Sequence, residues 1–136
     1  MSMTKMDKTW IAVASLIYPE TSSNKAFSSK DVMTKVTTMF DEKINYALLN
    51  SHLVSSKDRM YDKNNPSRGG SRNRYVFKTI DGNTPHNKGK FRLYKKVDRQ
   101  YDGFEKTGKI CPQKEDINSE YYYLVDWYLN QYQNVD

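Results

Sequence analysis

Apolar residues recur at helical spacing close to the start of the chain. Trp10, Val13, Ala14 and Ile17 fall at i, i+3, i+4 and i+7, one face of a helix that begins near Met6 and that Pro19 ends. A Ser/Thr/Asn loop over 20–25 leads into a short extended piece, Ala26-Phe27. Ser28 and Ser29 follow as candidate N-caps, with Asp31 three residues after Ser28 in a capping-box spacing. Val32, Val36, Met39 and Phe40 form the apolar stripe of this second helix. Asp41 reads as the N-cap of a third helix reaching about Val54. At 100° per residue, Ile44, Leu48, Leu49 and the stem of His52 lie on one side of it, and Lys43, Tyr46, Ala47 and Asn50 roughly opposite.

The pattern then changes. From Ser55 to Arg72 the run Asn64-Asn65-Pro66-Ser67-Arg68-Gly69-Gly70 predicts a loop. Arg74 to Lys78 alternates like a strand, Tyr75 and Phe77 against Arg74, Val76 and Lys78. Lys90 to Lys95 does the same, Phe91, Leu93 and Lys95 against Lys90, Arg92 and Tyr94. Turn signals at Asp81-Gly82-Asn83 and Lys88-Gly89 join the two into a hairpin. Tyr101 to Gln113 is irregular, with Gly103, Gly108 and Pro112. A fourth helix runs from about Ile117 to Gln133, capped by Asp116 or Ser119. Ile117, Tyr121, Leu124, Val125, Tyr128 and Tyr132 share one face of it, and Tyr123, Trp127 and Asn130 occupy others. The expected fold class is α+β: three helices and a hairpin over 5–97, then a C-terminal extension over 98–136 with an aromatic amphipathic helix.

Composition bounds the reading. A chain of 136 residues closes one modest core, and eleven Tyr supply apolar area that the few Leu and Ile do not. No apolar run approaches the roughly 18 residues of a membrane span, and none resembles a signal-peptide core. One cysteine, Cys111, forms no internal disulfide, which suggests an intracellular protein, cytoplasmic or nucleoid-associated.

Charge adds more. Between Lys43 and Arg99 fourteen Lys or Arg face four acids, a net of +10. Residues 1–42 balance at zero, and residues 100–136 carry −4. Clustered positive charge is the footprint of a polyanion ligand, because each neutralised phosphate releases condensed counterions. The bland alternative is a solvated basic surface.

Helix, short strand, helix, helix, basic hairpin is the element order of a winged helix-turn-helix, and the turn around Phe40-Asp41-Glu42 is as short as that motif needs. On this reading the third helix enters the major groove and presents Lys43, Asn45, Tyr46 and Asn50, Asn being suited to the N6 and N7 of adenine. The hairpin is the wing, with Arg68, Arg72, Arg74, Lys78, Lys88, Lys90 and Arg92 on phosphates or in the minor groove. The expected partner is double-stranded DNA, plain or modified, with no membrane and no cofactor. The aromatic fourth helix either packs over the domain or pairs with a second chain as a homodimer. A protein–protein interaction module using the wing and that helix is the alternative, since fold does not fix function.

Part of the chain, about residues 8–96, also resembles the winged-helix domains appended to prokaryotic restriction endonucleases and related defence proteins. Trp10 with its following Ala-rich turn, Phe27-Ser28-Ser29-Lys30-Asp31-Val32, and Lys90-Phe91-Arg92-Leu93-Tyr94 carry the resemblance. It implies target recognition, including of modified bases, or transcriptional regulation. No nuclease motif matches the residues after Val97.

Enzyme readings are weak. Cys111 with His52 or His86 would make a thiolate–imidazole pair, but neither His is near it in sequence. One Cys and two separated His give no zinc spacing. Glu115, Asp116 and Glu120 sit where a helix start favours acids without catalysis. Gly69-Gly70 lacks the helix and Lys-Ser/Thr of a phosphate loop. The sequence therefore predicts a binding protein and not an enzyme.

Overall fold

The computed structural model describes residues 3–21, 25–46, 49, 54–55, 61–62, 75–82, 89–101, 104–105 and 109–133. Among them it is α+β, with three α-helices and an antiparallel hairpin.

Helix α1 (Lys5–Ile17) starts at Thr4, whose side chain accepts from the Asp7 N–H at 3.1 Å. It ends where the Tyr18 N–H reaches Ala14 O, just ahead of a cis Tyr18–Pro19 bond. The predicted stripe is buried, and so are Ile11 and Ala12 on the rest of its circumference. A helix apolar beyond one stripe has neighbours on several sides. Here α1 packs against the second helix, both hairpin strands and the C-terminal helix.

Helix α2 (Ser29–Phe40) begins as expected, Ser28 accepting from the Asp31 N–H at 3.1 Å. Its end corrects the sequence reading. Asp41 does not cap a third helix; it closes α2 in the left-handed conformation (φ 52°, ψ 39°), its N–H on Thr37 O. Asp tolerates that region because its short polar side chain bonds locally. Thr37 Oγ1 donates to Glu42 O, and Lys5 and Lys8 reach the Glu42 carboxylate from α1. Residues 42–45 have no regular secondary structure, and the first helical bond of the next turn runs from the Leu49 N–H to Asn45 O. Val54, placed at the end of that helix by sequence, lies in a strand.

Two small sheets complete the fold. Strands β1 (Val54–Ser55), β2 (Tyr61–Asp62), β3 (Val76–Thr79), β4 (Lys90–Leu93), β5 (Gln100–Tyr101) and β6 (Phe104–Glu105) divide into β1-β3-β4 and β2-β6-β5. β3 and β4 are antiparallel, pairing Val76 with Leu93 and Thr79 with Lys90, while β1 lies parallel to β3. Phe27 bonds both ways with Phe91, at 2.8 and 2.7 Å, so the predicted extended piece borders β4 on its free side. The second sheet falls mostly in stretches expected to be loop (Tyr61–Asp62) or irregular (from Tyr101), with Gln100 just before the latter. Two-residue strands are too short to show an alternation.

The fourth helix is shorter than predicted. Two 3₁₀ turns (Lys114–Asp116 and Ser119–Tyr121) precede α3 (Tyr122–Trp127), which widens into a π turn over Tyr128–Tyr132. Neither Asp116 nor Ser119 caps α3, because Tyr121 precedes it with no side-chain bond. The expected face is nonetheless inward. Tyr128 meets Trp10 edge-on at 5.5 Å and donates to Tyr94 O at 2.6 Å. Trp127, assigned to another face, is buried beneath Tyr18. One core cluster thus runs from Trp10 to Tyr132, and much of its volume is aromatic. Among the described residues no helix is long and apolar enough to cross a membrane.

Candidate nucleic-acid interface

The residues expected to contact DNA divide into three groups. Lys43, Asn45 and Tyr46 are exposed and flank Ile44, which is buried. They precede and open the turn that Leu49, also buried, anchors in the core. Lys90 is exposed at the start of β4. These four stand at the surface.

Lys78 and Arg92 do not. Both side chains are fully buried, and the expectation that they face phosphates is corrected. The cause is the register. Cross-strand pairing puts Lys78 beside Phe91 on one face of the hairpin and Arg92 beside Phe77 on the other. Tyr46 folds over the first face and the Lys96–Arg99 turn over the second, so neither face is left to solvent. The Arg92 guanidinium, 4.6 Å from the Phe77 centroid, grips both oxygens of Asp98 and also donates to Gly82 O and Leu93 O. Burial works against its charge, but the hydrogen bonds and charge of Asp98 outweigh that and raise its pKa. Lys95, 2% exposed, has its pKa lowered by burial and then by the Arg92 charge. The hairpin base is therefore core. Part of the +10 that the sequence placed on a surface is structural.

Asn50, Arg68, Arg72, Arg74 and Lys88 lie outside the described residues. Lys25 closes the Ser/Thr/Asn loop that the sequence predicts over 20–25. The Phe27–Phe91 pairing carries it to a cleft of about 370 Å³ shared with Lys90, Thr79, Asp81 and Gly82. The signal was present in the extended Ala26-Phe27 pair, had its partner strand been assigned.

A second groove, about 540 Å³, lies between Ile110–Glu115 and the outer side of α3, with Val125 and Leu129 on its wall. Cys111 lines it. Burial pushes the Cys111 thiol up to about 11, so it is protonated at neutral pH. His52 and His86, the imidazoles considered as its partners, lie outside the described residues. Alkylation of Cys111 by iodoacetamide at pH 8 is expected to run roughly a hundredfold slower than for a free thiol. A rate matching free cysteine would show the thiolate to be accessible.

Compared with protein-family models, curated proteins and solved structures, the chain matches none.

Proposed function

We propose that the chain is a winged-helix protein that binds double-stranded DNA. The observation that carries this reading is the placement of Lys43, Asn45 and Tyr46. They are exposed at the start of the helical turn that follows α1 and α2, beside a hairpin whose outer edge pairs with Phe27. That arrangement is compatible with a helix-turn-helix presenting its third helix to the major groove. Among the described residues of the segment of net +10, Lys43, Lys90 and Lys96 are exposed cations. Basic residues outside the described region, Arg68, Arg72, Arg74 and Lys88, extend the contact along the backbone in this reading. Asn45 and Asn50 read base edges, and the arginines and lysines hold phosphates. The role is target recognition in defence or regulation, with modified duplex among the candidate targets.

The test is a salt-series titration of the full chain against plain duplex, methylated duplex and single strand. Duplex affinity is expected to fall linearly in log–log form as salt rises. A preference for the methylated duplex would place base modification among the features read. Salt-independent binding, or none to any duplex at low ionic strength, overturns the reading. A stable protein complex without DNA retention would then favour the interaction module.

A further inference from the structure

Lys78 belongs to the basic segment, yet no part of it is exposed. Its ammonium lies 5.3 Å from the Phe91 ring centroid and 5.6 Å from that of Tyr46, and donates to Tyr46 Oη at 3.5 Å. Tyr46 is 50% exposed and is the first helical residue after Asn45. The ammonium therefore reaches the exposed ring from inside the protein. It joins the second strand pair of the hairpin to the opening of the helical turn.

The hydrogen-bond inventory gives this contact a direction. An ammonium has donors and no acceptor, so the phenol oxygen must accept from it. The phenol hydrogen then points away from Lys78 and is available to an acceptor outside. With its ammonium 3.5 Å from the hydroxyl and 5.6 Å from the ring centroid, Lys78 approaches Tyr46 from the hydroxyl end, so the contact directs the hydroxyl.

We propose that Tyr46 binds a phosphodiester oxygen of the nucleic acid through its hydroxyl, and that Lys78 is the positioning residue that aims it. The proposal rests on the DNA-binding reading. A backbone oxygen is the natural acceptor, because one donor on an already engaged oxygen carries little base information, whereas phosphate oxygens only accept. Lys78 then serves the interface without touching it. Its charge is spent on a side chain and not on counterion release.

The test uses the full chain and a mixed-sequence duplex over a salt series. Tyr46→Phe is expected to weaken binding about tenfold. The loss should be the same for unrelated sequences, with no change in the slope of log K against log salt. Lys78→Met is expected to weaken binding by a similar factor, again with unchanged slope, and the double substitution to cost no more than either single one. Tyr46→Phe binding like the unsubstituted protein overturns the proposal, as does additivity of the two. A slope reduced by about one in Lys78→Met overturns it too, since Lys78 would then be a direct phosphate contact. Should Lys78→Met fail to fold, a nuclear Overhauser contact between the Lys78 ε-methylene and the Tyr46 ring in the free and bound protein decides the positioning role. Its absence contradicts the proposal. Failure of the unsubstituted protein to hold any duplex is a separate result, which removes the DNA reading and this contact with it.

Discussion

Asp98→Ala is expected to lower the stability of the protein by about 3–5 kcal/mol, read as a shift in the urea midpoint. Asp98 is 6% exposed and accepts from both terminal nitrogens of Arg92, and its Oδ2 also takes the Lys95 N–H at 2.7 Å. Removing it strands a guanidinium that no solvent reaches, together with a backbone donor. The cost comes from that uncompensated charge more than from the loss of attraction. It follows that Arg92→Met with Asp98→Leu should recover most of the stability lost by Asp98→Ala, although it removes more polar contacts. A loss under about 1 kcal/mol in Asp98→Ala, the range of exposed pairs, would mean that water reaches the pair. Arg92 would then return to the surface set.

Gly89→Ala acts at the mouth of the same hairpin. A Cβ at Gly89 would stand 2.0 Å from Thr79 O and 2.6 Å from Thr79 C, with Ile80 Cα at 3.1 Å. All three atoms are backbone, so no rotamer change relieves the overlap. The strands must separate where Thr79 pairs with Lys90. The expected cost is about 3 kcal/mol, the upper end of the overpacking range, measured by denaturation. The disturbance should also reach the Lys25–Lys90 cleft and weaken duplex binding in the refolded variant. Stability within about 0.5 kcal/mol of the parent, as for an ordinary surface change, would contradict the close approach.

These two positions show what was legible in the sequence. Period-3.6 spacing locates α1 and α2, and the spacing narrows the cap of α2 to Ser28 or Ser29, of which Ser28 makes the bond to the Asp31 N–H. The alternation of 74–78 and 90–95 located the hairpin. What alternation could not tell was that both faces would be covered. Lys78 and Arg92 look solvent-facing in a strand whose other side is apolar. Their burial depends on Tyr46 and Asp98, which lie 32 and 6 residues away in sequence. The same holds for Asp41. Its side chain suits an N-cap, yet the left-handed turn after α2 prevails, with the Asp41 N–H on Thr37 O and the next residue, Glu42, held by Thr37 and the two α1 lysines. Helical phase alone puts Trp127 on another face, and that rule does not foresee Tyr18 packing across it at the end of α3. Among the candidate site residues, exposure follows the sequence reading where one helix turn decides it, at Lys43, Asn45 and Tyr46. It departs where a distant segment closes over the strand.

We propose two destinations for the cations of the basic segment, the core and a polyanion. The slope of log K against log salt separates them, since each phosphate neutralised contributes about −0.9 for duplex DNA. With the full chain and a mixed-sequence duplex, Lys43→Ala combined with Lys90→Ala is predicted to make the slope shallower by about 1.8 with the fold intact. An unchanged slope and affinity in that variant would contradict the assignment of Lys43 and Lys90 to the interface.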